Sequence, residues 1–445
     1  MIKFLRSFFL TPRYFTSLGA CITLFVFGYF FSGIEVLAQI ALFALFTLTA
    51  LDTLLLYSPR IKTLSASRLL PKRLSNGDDN IITITVENPY PFAASFSVID
   101  ELPIQFQKRD FLYQLSMPPG TKKRFAYTLR PTTRGEYHFG NLNIYAQSAL
   151  RLVSRRFMIQ AAAMVPTYPS YLQMQRYEQL ATMSRSMELG LKRIRRIGHT
   201  LEFERIKNYV TGDDIRTINW KATARRNQLM VNQYQDERSQ PIYCLIDMGR
   251  VMKMPFEHMT LLDYAINATL AISNIALKKQ DRAGLMTFSS KIHSVVPAER
   301  RSGQLIKIIQ TLYNQDTKFE ESDYEMLFVT VQRQIHQRAL LLLFTNFETL
   351  SSMRRHLKYL QRLAARHLLV TIFFENTELH TLLERKIKTL EDAYIKTIAE
   401  KFAFEKREIV LELNRHGIQS VLTPPKNLSL SLINKYLELK ARGLI

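Results

Sequence analysis

Ile242-Tyr243-Cys244-Leu245-Ile246-Asp247 is a short run without a polar break that closes on a carboxylate. A run this brief and apolar on both faces is what a strand covered from two sides requires. Immediately downstream, Leu262, Ile266 and Leu270 recur at a spacing of four and put one apolar stripe on a helix that ends near Lys279. The same alternation continues to the C-terminus. Strands are expected at Arg282–Phe288, Lys291–Val296, Ala339–Thr345, His367–Phe374 and Ile418–Leu422. Helices are expected around Gln304–Tyr313 and Tyr324–His336, through long helical sequence from Glu378 to Asn414, and at Leu428–Lys440. Strands alternating with helices predict a doubly wound α/β domain over residues 241–445, with mainly parallel strands and any ligand at their carboxyl ends.

Upstream the periodicity changes. Ile82, Ile84 and Val86 alternate with Thr83, Thr85 and Glu87 and stop at Asn88-Pro89, while Pro118-Pro119-Gly120 and Arg134-Gly135 punctuate further short runs. Period-two strands of this kind over residues 60–168 predict a small β-sandwich. Residues 1–59 differ again, with apolar stretches from Tyr14 to Phe31 and from Ile34 to Tyr57. A hydrocarbon core of about 30 Å needs about 20 helical residues, so the pair reads as a two-helix membrane hairpin. Lys3, Arg6 and Arg13 precede it, Arg60, Lys62 and Arg68 follow it, and the turn carries Glu35 without Lys or Arg. That distribution predicts both ends and all later domains in the cytoplasm. Asp52 stands about a turn and a half from the end of the second span, where its carboxylate is expected to reach headgroup water.

The 445 residues carry 60 Lys+Arg against 38 Asp+Glu, a formal charge of +22, with 47% hydrophobic and 22% charged residues. These are globular proportions and exclude a disordered or fibrous chain. Two cysteines cannot frame a disulfide scaffold. There is no phosphate-binding glycine loop, dinucleotide fingerprint, H-E-x-x-H, C-x-x-C or nucleophile elbow. The nine histidines lack metal-ligand spacing. An ordinary enzyme is therefore disfavoured, and no cofactor is expected. The basic balance admits anionic lipid, nucleic acid or an acidic protein partner. Residues 169–240 read as a basic connector in which Lys192, Arg193, Arg195 and Arg196 suit anionic lipid next to a membrane anchor. Nucleic acid is disfavoured because no interleaved aromatics or recognition motif accompany them.

One part of the connector is dense in special residues: Tyr209, Gly212, Asp213, Asp214, Arg216, Trp220, Lys221 and Arg225 form the string Y-x-x-G-D-D-x-R-x-I-x-W-K-x-x-A-R, and Glu237 follows. With the closing Leu413-x-x-x-Gly417-Ile418 and the run Tyr436 to Lys440, the chain resembles, over nearly its whole length, the bacterial family catalogued as domain of unknown function 58. The resemblance implies two membrane helices, a β domain, an α/β portion similar to a von Willebrand factor A domain, and partnership with a MoxR-type AAA+ ATPase. From the residues alone, Gly212-Asp213-Asp214 reads as a turn, with Arg216, Lys221 and Arg225 placed to pair with Asp213, Asp214 or Glu237 in an internal clasp, or else to form a docking surface. Trp220, the one tryptophan, is expected as a packing anchor.

The similarity to von Willebrand A domains also implies a Mg²⁺ site of the pattern D-x-S-x-S plus a threonine and a second aspartate. Here Asp247 is followed by Gly249 and Val251, Ser322 is the candidate for the threonine, and Asn346 stands in place of the second carboxylate. Too few oxygens remain for a hard cation, so a degenerate site without a bound metal is expected. The function that fits is a membrane-anchored interaction module, with a metal-assisted hydrolase or a basic nucleic-acid-binding protein as the alternatives.

Overall fold

The computed structural model describes residues 2–58, 63–182, 202–210, 215–235, 240–257, 259–376 and 389–445. The basic residues Lys192, Arg193, Arg195 and Arg196, the turn Gly212-Asp213-Asp214, and Glu237 lie outside the described residues. The chain divides into two compact units, Met1–Tyr168 and Pro169–Ile445.

The first unit joins helices and strands in one body. Helices Pro12–Gly28 and Ser32–Tyr57 are connected through Tyr29–Phe31. Gly28 permits their close approach, since a Cβ there would lie 3.0 Å from the Glu35 backbone. Among the described residues, Gly33–Tyr57 is the one helical stretch long and apolar enough to cross a membrane. The 17 residues of Pro12–Gly28 reach about 25 Å, short of a hydrocarbon core.

Three antiparallel-rich sheets complete the unit. The largest has the order Phe8–Leu10, Val153–Ile159, Leu142–Gln147, Ala94–Asp100, Tyr113–Met117. A second pairs Ala66–Leu69 with Asn80–Glu87 and that strand with Lys122–Leu129. Ile84, Val86, Phe96, Val98, Phe125 and Ile144 share one core, as the period-two pattern predicts for facing sheets. Arg68 and Tyr127 both donate to the buried Asp100 carboxylate, which ties the two sheets through a charge.

Asp52 departs from expectation. It is 0% exposed, and in place of water its carboxylate accepts the backbone N–H groups of Leu152 and Val153, each at 2.9 Å, and the Ser148 hydroxyl. One turn further on, Arg155 Nη1 donates to Leu56 O at 2.6 Å. At the other end of the hairpin, Phe8–Leu10 pairs with Val153–Arg155 and Thr11 N donates to Leu152 O at 3.1 Å. Both ends of the helix pair thus meet the same strand.

In the second unit a six-stranded sheet is built from β1 (Pro241–Asp247), β2 (Arg282–Phe288), β3 (Ile292–Glu299), β4 (Leu340–Phe344), β5 (Leu368–Phe374) and β6 (Gln419–Thr423), in the order β3-β2-β1-β4-β5-β6. All pairings are parallel except β2 with β3. The helices are α1 (Leu261–Lys278), α2 (Gln304–Tyr313), α3 (Tyr324–Gln334), α4 (Leu350–Arg366), α5 (Leu390–Arg415) and α6 (Leu428–Ala441). Ile242, Cys244 and Ile246 face α1, α2 and α6 in one core, while Tyr243 and Leu245 face α3, α4 and α5 in another. The unbroken apolar run of β1 is explained by this double cover, and the α/β doubly wound expectation is met.

Several details extend the sequence reading. Helix α4 is an element the apolar spacing did not predict. Residues 171–182, expected as connector, form a helix whose Met174 enters the α1 core and whose Glu178 pairs with Lys278 at 2.9 Å. The motif Leu413-x-x-x-Gly417-Ile418 is a helix stop: Gly417 takes φ +73, Ile418 N donates to Leu413 O at 3.0 Å, and both apolar side chains are buried together. The Tyr436 to Lys440 run clasps α6 to the turn before β2, since Tyr436 OH and Lys440 Nζ both donate to Asp281 Oδ2.

Candidate functional site

Parallel strands deliver their carboxyl ends to one edge, and there Asp247 closes β1 and Thr345-Asn346 follow β4. Asp247 is 0% exposed. Its Oδ1 accepts Gly249 N at 2.8 Å and the Ser322 hydroxyl; its Oδ2 accepts Thr345 Oγ1 at 2.8 Å and Tyr324 OH at 3.1 Å. The Tyr324 and Thr345 hydroxyls are themselves 2.7 Å apart. Burial pushes the Asp247 carboxyl up, opposed by these hydrogen bonds, and raises the Tyr324 phenol well above its ordinary value. Four neutral donors therefore occupy a carboxylate with no cation beside it among the described residues. Arg250, three residues further on, is exposed and is not a partner of Asp247.

The residues present do not fit a hard divalent ion. A Cβ on Gly249 would overlap Ser322 Oγ and stand 2.9 Å from Glu320 O and 3.0 Å from Asp247 Oδ1, so the space of the first missing hydroxyl is filled by Ser322. Val251 packs against the α1 core. Asn346 is buried but turns to another partner: Lys406 Nζ, on α5, donates to Asn346 Oδ1 at 2.7 Å and to Phe347 O at 2.6 Å. Among the described residues no group of three His, Cys, Asp or Glu is assembled. An ammonium is thus bonded to the position where the von Willebrand pattern would place a carboxylate. Burial depresses that ammonium to about 8, against a smaller pull upward from Glu348.

Sequence reasoning placed Asp247, Gly249, Val251, Ser322 and Asn346 at one site; the structure brings Asp247, Gly249 and Ser322 together, whereas Asn346 is bonded by Lys406 and its neighbour Thr345 reaches Asp247. Tyr324 and Lys406 were missed. Tyr324 at the first turn of a predicted helix offered a faint signal, whereas Lys406 is one of many cations on a long helix and offered none.

Beside this edge lies a cavity of about 320 Å³ at the ends of β5 and β6. Met254, Phe256, Leu261, Phe374, Phe402 and Leu422 make its walls apolar. Asn346, Lys406, Arg407, Glu348 and Glu375 supply the polar groups.

The motif string of the connector belongs to a separate small element. Strands Glu202–Asn208 and Met230–Gln235 pair antiparallel, and Asn219 caps the short helix Trp220–Arg226 by accepting Ala222 N at 3.0 Å. Asn219 Nδ2 also donates to Asn232 Oδ1 at 2.8 Å, and Thr223 Oγ1 accepts Met230 N at 3.0 Å. Trp220 is 70% exposed, so it is not the packing anchor expected of a lone tryptophan. Tyr209 N donates to Leu229 O at 2.8 Å, and Lys221 and Arg225 line a shallow surface recess. The remaining members of the proposed clasp lie outside the described residues, apart from Arg216, which follows Ile215 in a single 3-10 turn.

Fold and site together define a chain with an apolar N-terminal helix, a β unit and a doubly wound α/β unit whose strand-end carboxylate is satisfied from within. Residues 205–393 match the family described as protein of unknown function DUF58. The match is narrower than the near-complete resemblance read from the sequence. The chain is 27% identical over 240 residues to the uncharacterized protein YeaD of Bacillus subtilis (strain 168), a stretch that is 52% of this chain and 57% of the relative. The chain thus spans little more than half the length of that relative. Among solved structures, the SpRpn10 VWA domain is similar at 14% identity over 43% of this chain and 93% of that one, with a TM-score of 0.27. The CARDB domain of the PF1109 protein from Pyrococcus furiosus is similar at 13% identity over 25% of this chain and 96% of that one, with a TM-score of 0.17.

Proposed function

We propose that the chain is a membrane-anchored cytoplasmic interaction module, a partner or adaptor of a MoxR-type AAA+ ATPase in assembling or remodelling envelope or membrane complexes. The observation that carries this reading is on α5. Leu390, Tyr394, Ile398 and Phe402 follow one another at a spacing of four and are all exposed, Leu390 at 93% and Tyr394 at 70%. An apolar row of four side chains over three turns is expensive to leave in water and marks a contact surface. The internally consumed Asp247 favours the same reading over a metal-assisted hydrolase, since hydrolysis needs a carboxylate or ion open to substrate.

The anchor is a two-pass hairpin with both ends in the cytoplasm. Support comes from the lysines and arginines flanking it and from the pairing of both its ends with strand Val153–Ile159, which needs those ends on one side of the bilayer. Four basic residues at 192–196 add attraction to anionic lipid of about 1 kcal/mol each.

The test is purification of the full chain in detergent from its own cells. A MoxR-type ATPase should co-purify and should be lost from Leu390→Asp/Tyr394→Asp chains that melt normally. Retention by those chains, or enrichment of no AAA+ ATPase by the wild type, overturns the reading. A reporter active only outside the cytoplasm, fused after Ile445, should stay silent; strong activity overturns the orientation.

A further inference from the structure

The exposed row of α5 does not end at Phe402. The next residue at the same spacing is Lys406, and both Phe402 and Lys406 line the 320 Å³ cavity at the strand ends. An ammonium has three N–H donors. Two of those of Lys406 go to Asn346 Oδ1 and Phe347 O, and the third has no acceptor among the described residues. A partly buried donor without an acceptor, beside a wall of Met254, Phe256, Leu261, Phe374, Phe402 and Leu422, calls for a ligand that brings one oxygen and an apolar body.

The charges narrow the choice further. Lys406 and Arg407 are opposed by Glu348 and Glu375 around the same cavity, so the site is close to neutral. A phosphate, a nucleotide or a polyacidic segment would meet two carboxylates for two cations, whereas a single carboxylate beside Lys406 does not need a net positive site. An Asp or Glu side chain would leave the walls formed by Met254, Phe256 and Leu422 unfilled. The C-terminal residue of a polypeptide carries an apolar side chain and a carboxylate on the same carbon, and the residues before it can lie along the exposed row.

We propose that the cavity binds the C-terminal residue of a partner protein, its apolar side chain between Phe256, Phe402 and Leu422 and its α-carboxylate on Lys406, with the preceding segment on Phe402, Ile398, Tyr394 and Leu390. The inference rests on the reading of this unit as a protein-interaction module and names the chemistry of its partner. It assigns to a lysine the carboxylate-holding part that a divalent ion would have at a strand-end site, so no ion is needed.

The probe is a fluorescent pentapeptide, Ala-Ala-Ala-Leu-Leu, with a free C-terminus, titrated against the detergent-purified full chain. Saturable binding is expected, weakened about tenfold or more by C-terminal amidation and by Lys406→Met, since a charged hydrogen bond is lost in each case. Ala403→Leu, which fills the cavity from a helical position without touching the ammonium, should abolish binding and guards against misfolding of the lysine variant. Equal binding of acid and amide, or full binding by either variant, overturns the proposal. Free 4-methylpentanoate that binds as tightly as the peptide would reassign the cavity to small carboxylic acids and overturn the peptide part. If the peptide fails while the ATPase still co-purifies, the cavity inference falls and the adaptor reading stands; the reverse result separates them the other way.

Discussion

The Asp52 carboxylate, on a predominantly apolar helix, accepts the backbone N–H of Val153 at 2.9 Å from the β unit. A charge that a membrane-span reading leaves at the headgroups is instead a peg that fixes the helix on a sheet. Asp52→Ala would leave two backbone donors and the Ser148 hydroxyl buried without an acceptor, at about 1–3 kcal/mol each before relaxation. The variant should melt well below the wild type in the same detergent and become sensitive to proteolysis between residues 148 and 156. Unchanged melting and protection would show that the peg carries no load.

A second expectation concerns the filled hydroxyl position. Gly249→Ser, the change that a metal-site repair would start from, inserts a Cβ onto Ser322 Oγ and against Glu320 O. Overpacking of this kind costs about 1–3 kcal/mol. Ser322→Gly in the same chain should recover part of that loss, because the two side chains compete for one space. Additive losses in thermal melts of the four chains would contradict the overlap.

Millimolar Mg²⁺ should leave the melting temperature of the full chain unchanged, since a ligand stabilises only as far as it occupies its site. Asp247 already has four donors, and Asn346 is engaged by Lys406. A clear rise in melting temperature with Mg²⁺ that disappears in Asp247→Ala would refute the misfit.

Lys406 gives the stability a pH dependence of definite sign. Burial holds its ammonium at about 8, below the roughly 10.4 of an unfolded chain. Between those values the unfolded state binds more protons, so this residue's contribution rises with pH and is least favourable below about 8. Glu348, Glu375 and Arg407 line the same cavity and cancel in a comparison with Lys406→Met. The wild type should gain on the variant as pH climbs through that window; a difference constant with pH, or one of opposite slope, refutes the shift.

Much of this architecture was legible because it is local. The run from Ile242 to Asp247 could only be a doubly covered strand, and Leu262, Ile266 and Leu270 could only be one stripe of a helix, which the structure buries as α1. Helix α4 carries Met353, Leu357, Leu360 and Ala364 at helical spacing, but its four arginines and one lysine mask that row in a reading by composition, and it was not predicted. What could not be read are pairs that only the fold brings together. Asp52 and Val153 are separated by 101 residues, and Asn346 and Lys406 by 60. No spacing rule connects either pair, and Phe8–Leu10 is too short to announce itself as a strand before it pairs with Val153–Arg155.

Trp220 supplies the last expectation, and it follows from a position where composition misled. A lone tryptophan in a dense motif invites a core assignment, yet the ring stands 70% exposed on the first residue of a seven-residue helix whose cap and turn are held by Asn219 and Thr223. Because the element is kept together by those two polar side chains, removing the indole should change folding stability by no more than about 0.5 kcal/mol, the usual range for a surface substitution. Asn219→Ala, by contrast, removes the acceptor of Ala222 N and the donor to Asn232 and should cost about 1 kcal/mol or more as a lost cap. As the only tryptophan of the chain, Trp220 also reports on itself. Its fluorescence in the purified full chain should be quenched by acrylamide nearly as readily as that of a free tryptophan derivative, and binding of a protein partner across the motif should protect it. Emission already shielded in the isolated chain, together with a large loss of stability in Trp220→Ala, would return the residue to the role of packing anchor.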